Sequence, residues 1–119
     1  MALAETDLAI DQGSDYVHEW QWLTEDDDGV RTPRDLTGWT GRMMVRRSPS
    51  AALVLATLGT DTGTIILDAD GVIRVEVPAA TSSAWSWHYG VFDLEVVDPD
   101  GGVTRFVSGS VQLSAEVTR

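Results

Sequence analysis

The sequence predicts an all-β domain: two antiparallel sheets packed face to face, about eight or nine short strands, and at most one short helical turn. Three observations predict it. Apolar and polar residues alternate with a period of two through most of the chain, reversals rich in Gly, Pro and Asp recur at close spacing, and no segment has the length and period of a long amphipathic helix. A small barrel is the alternative allowed by the same pattern. The 119 residues have room for one domain, 1–119, large enough to bury a single core.

In chain order, Leu8 and Ile10 alternate with Asp7 and Asp11 as a first short strand, which Gln12-Gly13-Ser14-Asp15 breaks. Tyr16 to Leu23 resumes as a β-rich run, with Tyr16, His18, Trp20 and Trp22 on one face and Val17, Glu19, Gln21 and Leu23 on the other. The aromatic face is expected to be covered by protein. Thr24 to Pro33 reads as a polar turn region, and Asp35-Leu36-Thr37-Gly38 leads into a strand from Trp39 to Arg47 with a basic outer edge. Ser48-Pro49-Ser50 stops it. Ala51 to Leu58 is long enough for two helical turns, but its Leu53, Leu55 alternation and the preceding Ser-Pro break predict a returning strand.

Thr64 to Leu67 and Val72 to Val77 flank Asp68-Ala69-Asp70-Gly71, whose Asp-Gly pair suits a tight hairpin of type I′ geometry. Pro78 ends that hairpin, and Ala79 to Trp85 predicts a single helical turn capped by a Ser or Thr side chain. The dominant hairpin follows. Phe92, Leu94 and Val96 oppose Asp93 and Glu95 in its first run, and Val111, Leu113, Ala115 and Val117 alternate with polar residues in its second, around the turn Asp98-Pro99-Asp100-Gly101-Gly102.

One internal repeat links the reversals. Asp26-Asp27-Asp28-Gly29-Val30, Asp68-Ala69-Asp70-Gly71-Val72 and Asp98-Pro99-Asp100-Gly101-Gly102-Val103 share the plan acid, any residue, acid, glycine, and each is followed by an arginine: Arg31, Arg74 and Arg105. The plan resembles the start of a calcium loop, but none of the three supplies the distal glutamate at the required spacing. Short acidic turns have a backbone rationale of their own, which is the preferred reading, and no metal site is assigned.

Eight basic against nineteen acidic residues give a formal charge of −11, so phosphate backbones and anionic lipid surfaces would be repelled. Neither nucleic acid nor membrane is expected as a partner. Absence of cysteine removes disulfides, thiolate nucleophiles and cysteine-based zinc sites. The start carries no basic and apolar leader, and the longest apolar run, Ala51 to Ala56, is far short of a membrane span, so we expect a soluble chain. His18 and His88 each lie close to tryptophan and lack an identifiable third metal ligand, Ser83, Ser86 and Ser108 sit in no nucleophile elbow, and Asp93 with Glu95 reads as a strand's solvent face. No catalytic constellation and no cofactor site emerges.

Five tryptophans are many for so short a chain. Trp20 or Trp22, and Trp39, are expected in the core. Trp85 and Trp87, among Ser82, Ser83 and Ser86 in a loop, are the candidates for exposed anchors in a protein-contact surface, or for sugar stacking in a carbohydrate-binding module. Arg42, Arg46 and Arg47 form a second candidate contact patch, suited to acidic groups on a neighbouring copy or to guarding a solvated edge.

The segment Asp35-Leu36-Thr37-Gly38-Trp39-Thr40-Gly41-Arg42-Met43-Met44-Val45-Arg46, followed by Gly90-Val91-Phe92-Asp93-Leu94-Glu95 and by Asp100-Gly101 through Thr104-Arg105 to Gly109-Ser110-Val111, resembles small β-sandwich structural proteins of tailed bacteriophages and prophages. These include tail collar and tail-fibre attachment proteins and the N-terminal domain of upper baseplate proteins. The similarity runs from Leu8 to Val117 and lies in strand and turn grammar rather than in catalytic signatures. It implies an immunoglobulin-like sandwich that is a non-enzymatic virion structural protein of the tail, collar or baseplate. The implied partners are other virion proteins and copies of itself, after synthesis in the bacterial cytoplasm, with no cofactor. A capsid decoration protein is the nearest variant.

Overall fold

Among the described residues, local alternation and regular reversals give eleven strands, rather than eight or nine, and two helical turns, one 3-10 and one α, where at most one was expected. The computed structural model describes residues 2–118; the ends of the expected 1–119 domain, Met1 and Arg119, lie outside the described residues. In order come β1 (Ala4–Glu5), β2 (Leu8–Asp11), β3 (Tyr16–Gln21), β4 (Leu23–Glu25), β5 (Arg31–Pro33), β6 (Thr40–Arg46) and β7 (Ala56–Gly59). A 3-10 turn (Thr60–Thr62), β8 (Ile65–Leu67), β9 (Val72–Val77), α1 (Ala79–Ser83), β10 (Tyr89–Val97) and β11 (Val103–Ser114) complete the chain.

The larger sheet has the order β1-β11-β10-β6-β7, with β2 also paired to β11, and the smaller has the order β3-β9-β8. Both are held by one shared core. Met43, Val45, Phe92, Leu94, Val96, Val107, Val111 and Leu113 from the first meet Ile65, Ile73, Val75 and Val77 from the second. This is the all-β sandwich expected, and its strand order is that of an immunoglobulin-like fold. β3, β9 and β8 take the places of strands B, E and D, while β11, β10, β6 and β7 take those of G, F, C and C′. The N-terminal strands lie on the G position rather than beside B.

That attachment is the main departure from the expected all-antiparallel sheets. β1 and β2 both pair with β11 in parallel, Ala4 opposite Val107 and Leu8 opposite Val111. Between them the chain kinks at Thr6 and Asp7. The Thr6 carbonyl lies so close to Gly109 that a Cβ there would collide with it, and Asp7 Oδ1 accepts from the backbone N–H (3.2 Å) and hydroxyl (2.9 Å) of Ser110. A side chain thus replaces a missing ladder bond on the strand edge.

β10 and β11 form the expected hairpin, with Phe92, Leu94 and Val96 inward. Its register slips once, because Leu94 faces Val107 whereas Glu95 faces Arg105. Phe106 is therefore the extra residue of a β-bulge, which lets the adjacent Phe106 and Val107 both point inward. Phe106 meets Trp20 edge-on at 6.5 Å and Trp22 at 5.6 Å between ring centroids. The expected inward alternation ends at Leu113, since Ala115 is exposed and Val117 is 91% exposed past the last strand.

The three acidic reversals share one geometry. Asp26, Asp68 and Asp98 each use Oδ1 to accept two backbone N–H groups, two and four residues on, at 2.8–3.0 Å. Each also accepts through its carbonyl from the N–H of Gly29, Gly71 or Gly101, which stand at φ +80°, +76° and +92°. No other residue in these turns has positive φ, so Asp68–Gly71 is a type I turn closed by a left-handed glycine rather than the expected type I′. The first acid of the repeat is a built-in bracket for the turn.

Two other expectations change. The returning strand is confined to β7, while 51–55 is irregular, tethered by Arg46 guanidinium bonds to the carbonyls of Ala51 and Ala52. α1 has the expected place, but no Ser or Thr caps it; Asp15 Oδ1 instead accepts from the Ala79 N–H at 2.9 Å.

Truncating Phe92→Ala should destabilise the fold by about 3–5 kcal/mol in urea unfolding, because the ring is central and almost wholly enclosed. Asp98→Ala should cost about 1 kcal/mol, similar to losing a helix cap, while Asp98→Asn, which keeps the accepting oxygen, should cost much less. The comparison is made by chemical denaturation of the two variants.

Candidate functional site

The outer face of β6, β10 and β11 carries a shallow groove of about 660 Å³. Strand parity places its side chains: Arg42, Met44 and Arg46 point outward from β6 because Met43 and Val45 point in, and Asp93 and Glu95 point outward from β10. Arg105 joins them from β11. Arg42 pairs with Glu95 at 2.9 Å and Arg105 with Asp93 at 3.5 Å, so the two carboxylates face arginines rather than each other. Arg46 donates to the Ala51 and Ala52 carbonyls and lies 3.6 Å from Met44 Sδ. Arg47 is exposed and has no partner among the described residues.

The structure therefore brings the sequence candidates Arg42 and Arg46 onto one groove, with Arg47 at the end of their strand. It does not bring Trp85 and Trp87 there. Trp87 is only 6% exposed, the most deeply buried of the five tryptophans, and its ring lies 5.1 Å from that of Trp85. The exposed-anchor expectation fails for Trp87, and Trp85 is half-buried against the core. The cause is a clasp built around their loop. Gln12 Nε2 donates to the Trp85 carbonyl at 2.8 Å, its Oε1 accepts from the Glu116 N–H at 3.0 Å, and fully buried Ser82 accepts the Gly13 N–H at 2.8 Å. Trp20, Trp22 and Trp39 are half-buried along one side of the sandwich, in keeping with the expected core role, and Trp20 Nε1 donates to Thr6 Oγ1.

A second feature was read in the sequence only as a polar turn. β4 and β5 form a separate two-stranded hairpin in which every residue is exposed. The repeat supplies its turn, Asp26 to Val30, and this shared grammar was the signal for a hairpin. Its root is fixed: the Trp22 N–H bonds the Gly71 carbonyl and the Arg34 N–H bonds the Trp22 carbonyl, each at 2.8 Å. The Arg34 guanidinium lies over both Trp22 (5.3 Å) and Trp39 (5.1 Å), whose rings meet edge-on. The arm thus leaves the sandwich from a clamped base, at the end where the turns after Asp68 and Asp98 also lie.

That end is strongly acidic, with Asp26, Asp27 and Asp28 at the tip of the arm and Asp68, Asp70, Asp98 and Asp100 in the neighbouring turns. Asp35 at the arm's return has its carboxyl held below the usual range by the Thr37 hydroxyl and N–H that donate to it. Elsewhere, Glu19 beside Arg74 raises that guanidinium's affinity for its proton, and partial burial raises the Tyr16 phenol. The His18 ring is parallel to that of Tyr16 and tilted against that of Trp20, and His88 is exposed. Among the described residues no three histidine or carboxylate side chains are grouped to hold a metal ion, and no helix is long and apolar enough to cross a membrane.

No protein-family model matches the chain, and no curated protein is significantly similar to it in sequence.

Trp87→Ala should behave as a core deletion and lower stability by about 3–5 kcal/mol. Trp85→Ala should cost distinctly less, and thermal unfolding of the two variants side by side checks the order.

Proposed function

We propose that this chain is a non-enzymatic structural subunit of a tailed-bacteriophage virion, a component of the tail, collar or baseplate that assembles in several copies. The observation that carries this reading is the β4–β5 arm, an exposed hairpin with no core of its own held out from a sandwich by a clamped root. Isolated hairpins are marginal in water, and an arm of this kind gains its order and its use by lying on a neighbour. The resemblance in strand and turn grammar supplies the virion context. The groove supports the same reading: its acids are neutralised by arginines in shallow, open surroundings, which suits a contact face better than acid–base chemistry.

Carbohydrate binding through Trp85 and Trp87 loses its footing, because the rings are packed against each other and against the core. Mass spectrometry of gradient-purified particles, with antibody labelling to place the chain, tests the main reading. A fixed copy number at the tail or baseplate is the expected result. Labelling over the head would move the assignment to capsid decoration, and absence from the particles would refute a virion role.

A further inference from the structure

We infer that the groove on the outer face of β6, β10 and β11 receives the β4–β5 arm of a second copy of this chain, joining copies head to tail. The inference rests on the reading of the chain as a repeating structural subunit and names the two surfaces through which it repeats. Charge complementarity selects the occupant. The chain has only eight basic residues, all arginine, against nineteen acids, yet in this one groove Arg42, Arg46 and Arg105 outnumber Asp93 and Glu95, and Arg47 adjoins it. The arm offers the opposite sign, because Glu25, Asp26, Asp27 and Asp28 are consecutive at its tip.

Apolar surface matches as well. The arm exposes Leu23 (41%) and Val30 (56%), while the groove holds Met44 (43%), Pro49 and Val91. Among the described residues nothing covers Leu23, Val30 or Met44 fully. A contact between two different surfaces of the same protein is heterologous, so it closes into a ring or continues as a filament according to the rotation between neighbours. The in-chain pairs Arg42–Glu95 and Arg105–Asp93 hold the guanidinium groups in place on the face, and Arg47, exposed and unpaired among the described residues, can meet an incoming carboxylate.

Because the chain has no cysteine, the contact can be trapped cleanly. Asp27→Cys and Met44→Cys change exposed side chains, and Met44 gives up only its surface contact with the Arg46 guanidinium. Purified separately, mixed and treated with a short bis-maleimide, they should yield a covalent dimer far in excess of that formed by either alone. As an uncoupled measure, Asp27→Asn with Asp28→Asn should weaken self-association several-fold in sedimentation equilibrium, although it lowers the net negative charge and so reduces general repulsion. A dimer formed equally by Asp27→Cys alone, no dimer from the mixture, or self-association unchanged by the double variant would each overturn the inference. These measurements need no particle. Cross-linking with absence from virions refutes only the virion role, and presence in virions without cross-linking refutes only this contact.

Discussion

Everything in the larger sheet depends on β11 being paired along both of its sides. It runs antiparallel to β10 and parallel to β1 and β2, so the chain's two extremities share one strand as their scaffold. That double duty imposes local conditions. Gly109 must lack a side chain where the Thr6 carbonyl crosses it, Asp7 must bond Ser110 where the backbone cannot, and the bulge at Phe106 must turn a ring inward beneath Trp20 and Trp22. Through Phe106 the strand that completes one sheet also ties it to the aromatic side of the other.

The tryptophan content then has a structural account. Trp20, Trp22 and Trp39 pack half-buried against the core, and Arg34 is laid over two of them. Trp85 and Trp87 fill the opposite end, beneath the Gln12 clasp. These rings stabilise the margins of a small core, where strands alone leave gaps.

Much of this was legible because it is local. The period of two gave the inward residues of β6, β10 and the last part of β11, and the Asp-x-Asp-Gly repeat located three reversals with a common design. What was not legible depends on distance or on loop path. Parallel pairing of β1 and β2 with β11 leaves no trace in either segment. The side taken by Trp87 is decided by bonds from Gln12 and Ser82, outside any alternating run. The adjacent apolar pair Phe106-Val107 was a sign of the bulge, and the two short polar flanks of Asp26–Val30 conceal strands because they have nothing to bury. Of the candidate surface, the arginines of β6 followed from parity, whereas Arg105 joins them only once β11 is laid across β10.

Pairing Asp7 with Ser110 joins residues 103 positions apart. Closing so long a loop is entropically costly before any contact rewards it, and folds dominated by such pairings form slowly. On the ribosome, β1 and β2 emerge before β3 to β10 yet find their partner only once β11 has followed them. Until then, the apolar side chains of Leu8 and Ile10 have no sheet to join, and the nascent chain is most exposed to wrong association during that interval. The local hairpins, each with its own carboxylate-bracketed turn, can form meanwhile, so the order of maturation runs opposite to the order of synthesis at the N-terminal edge.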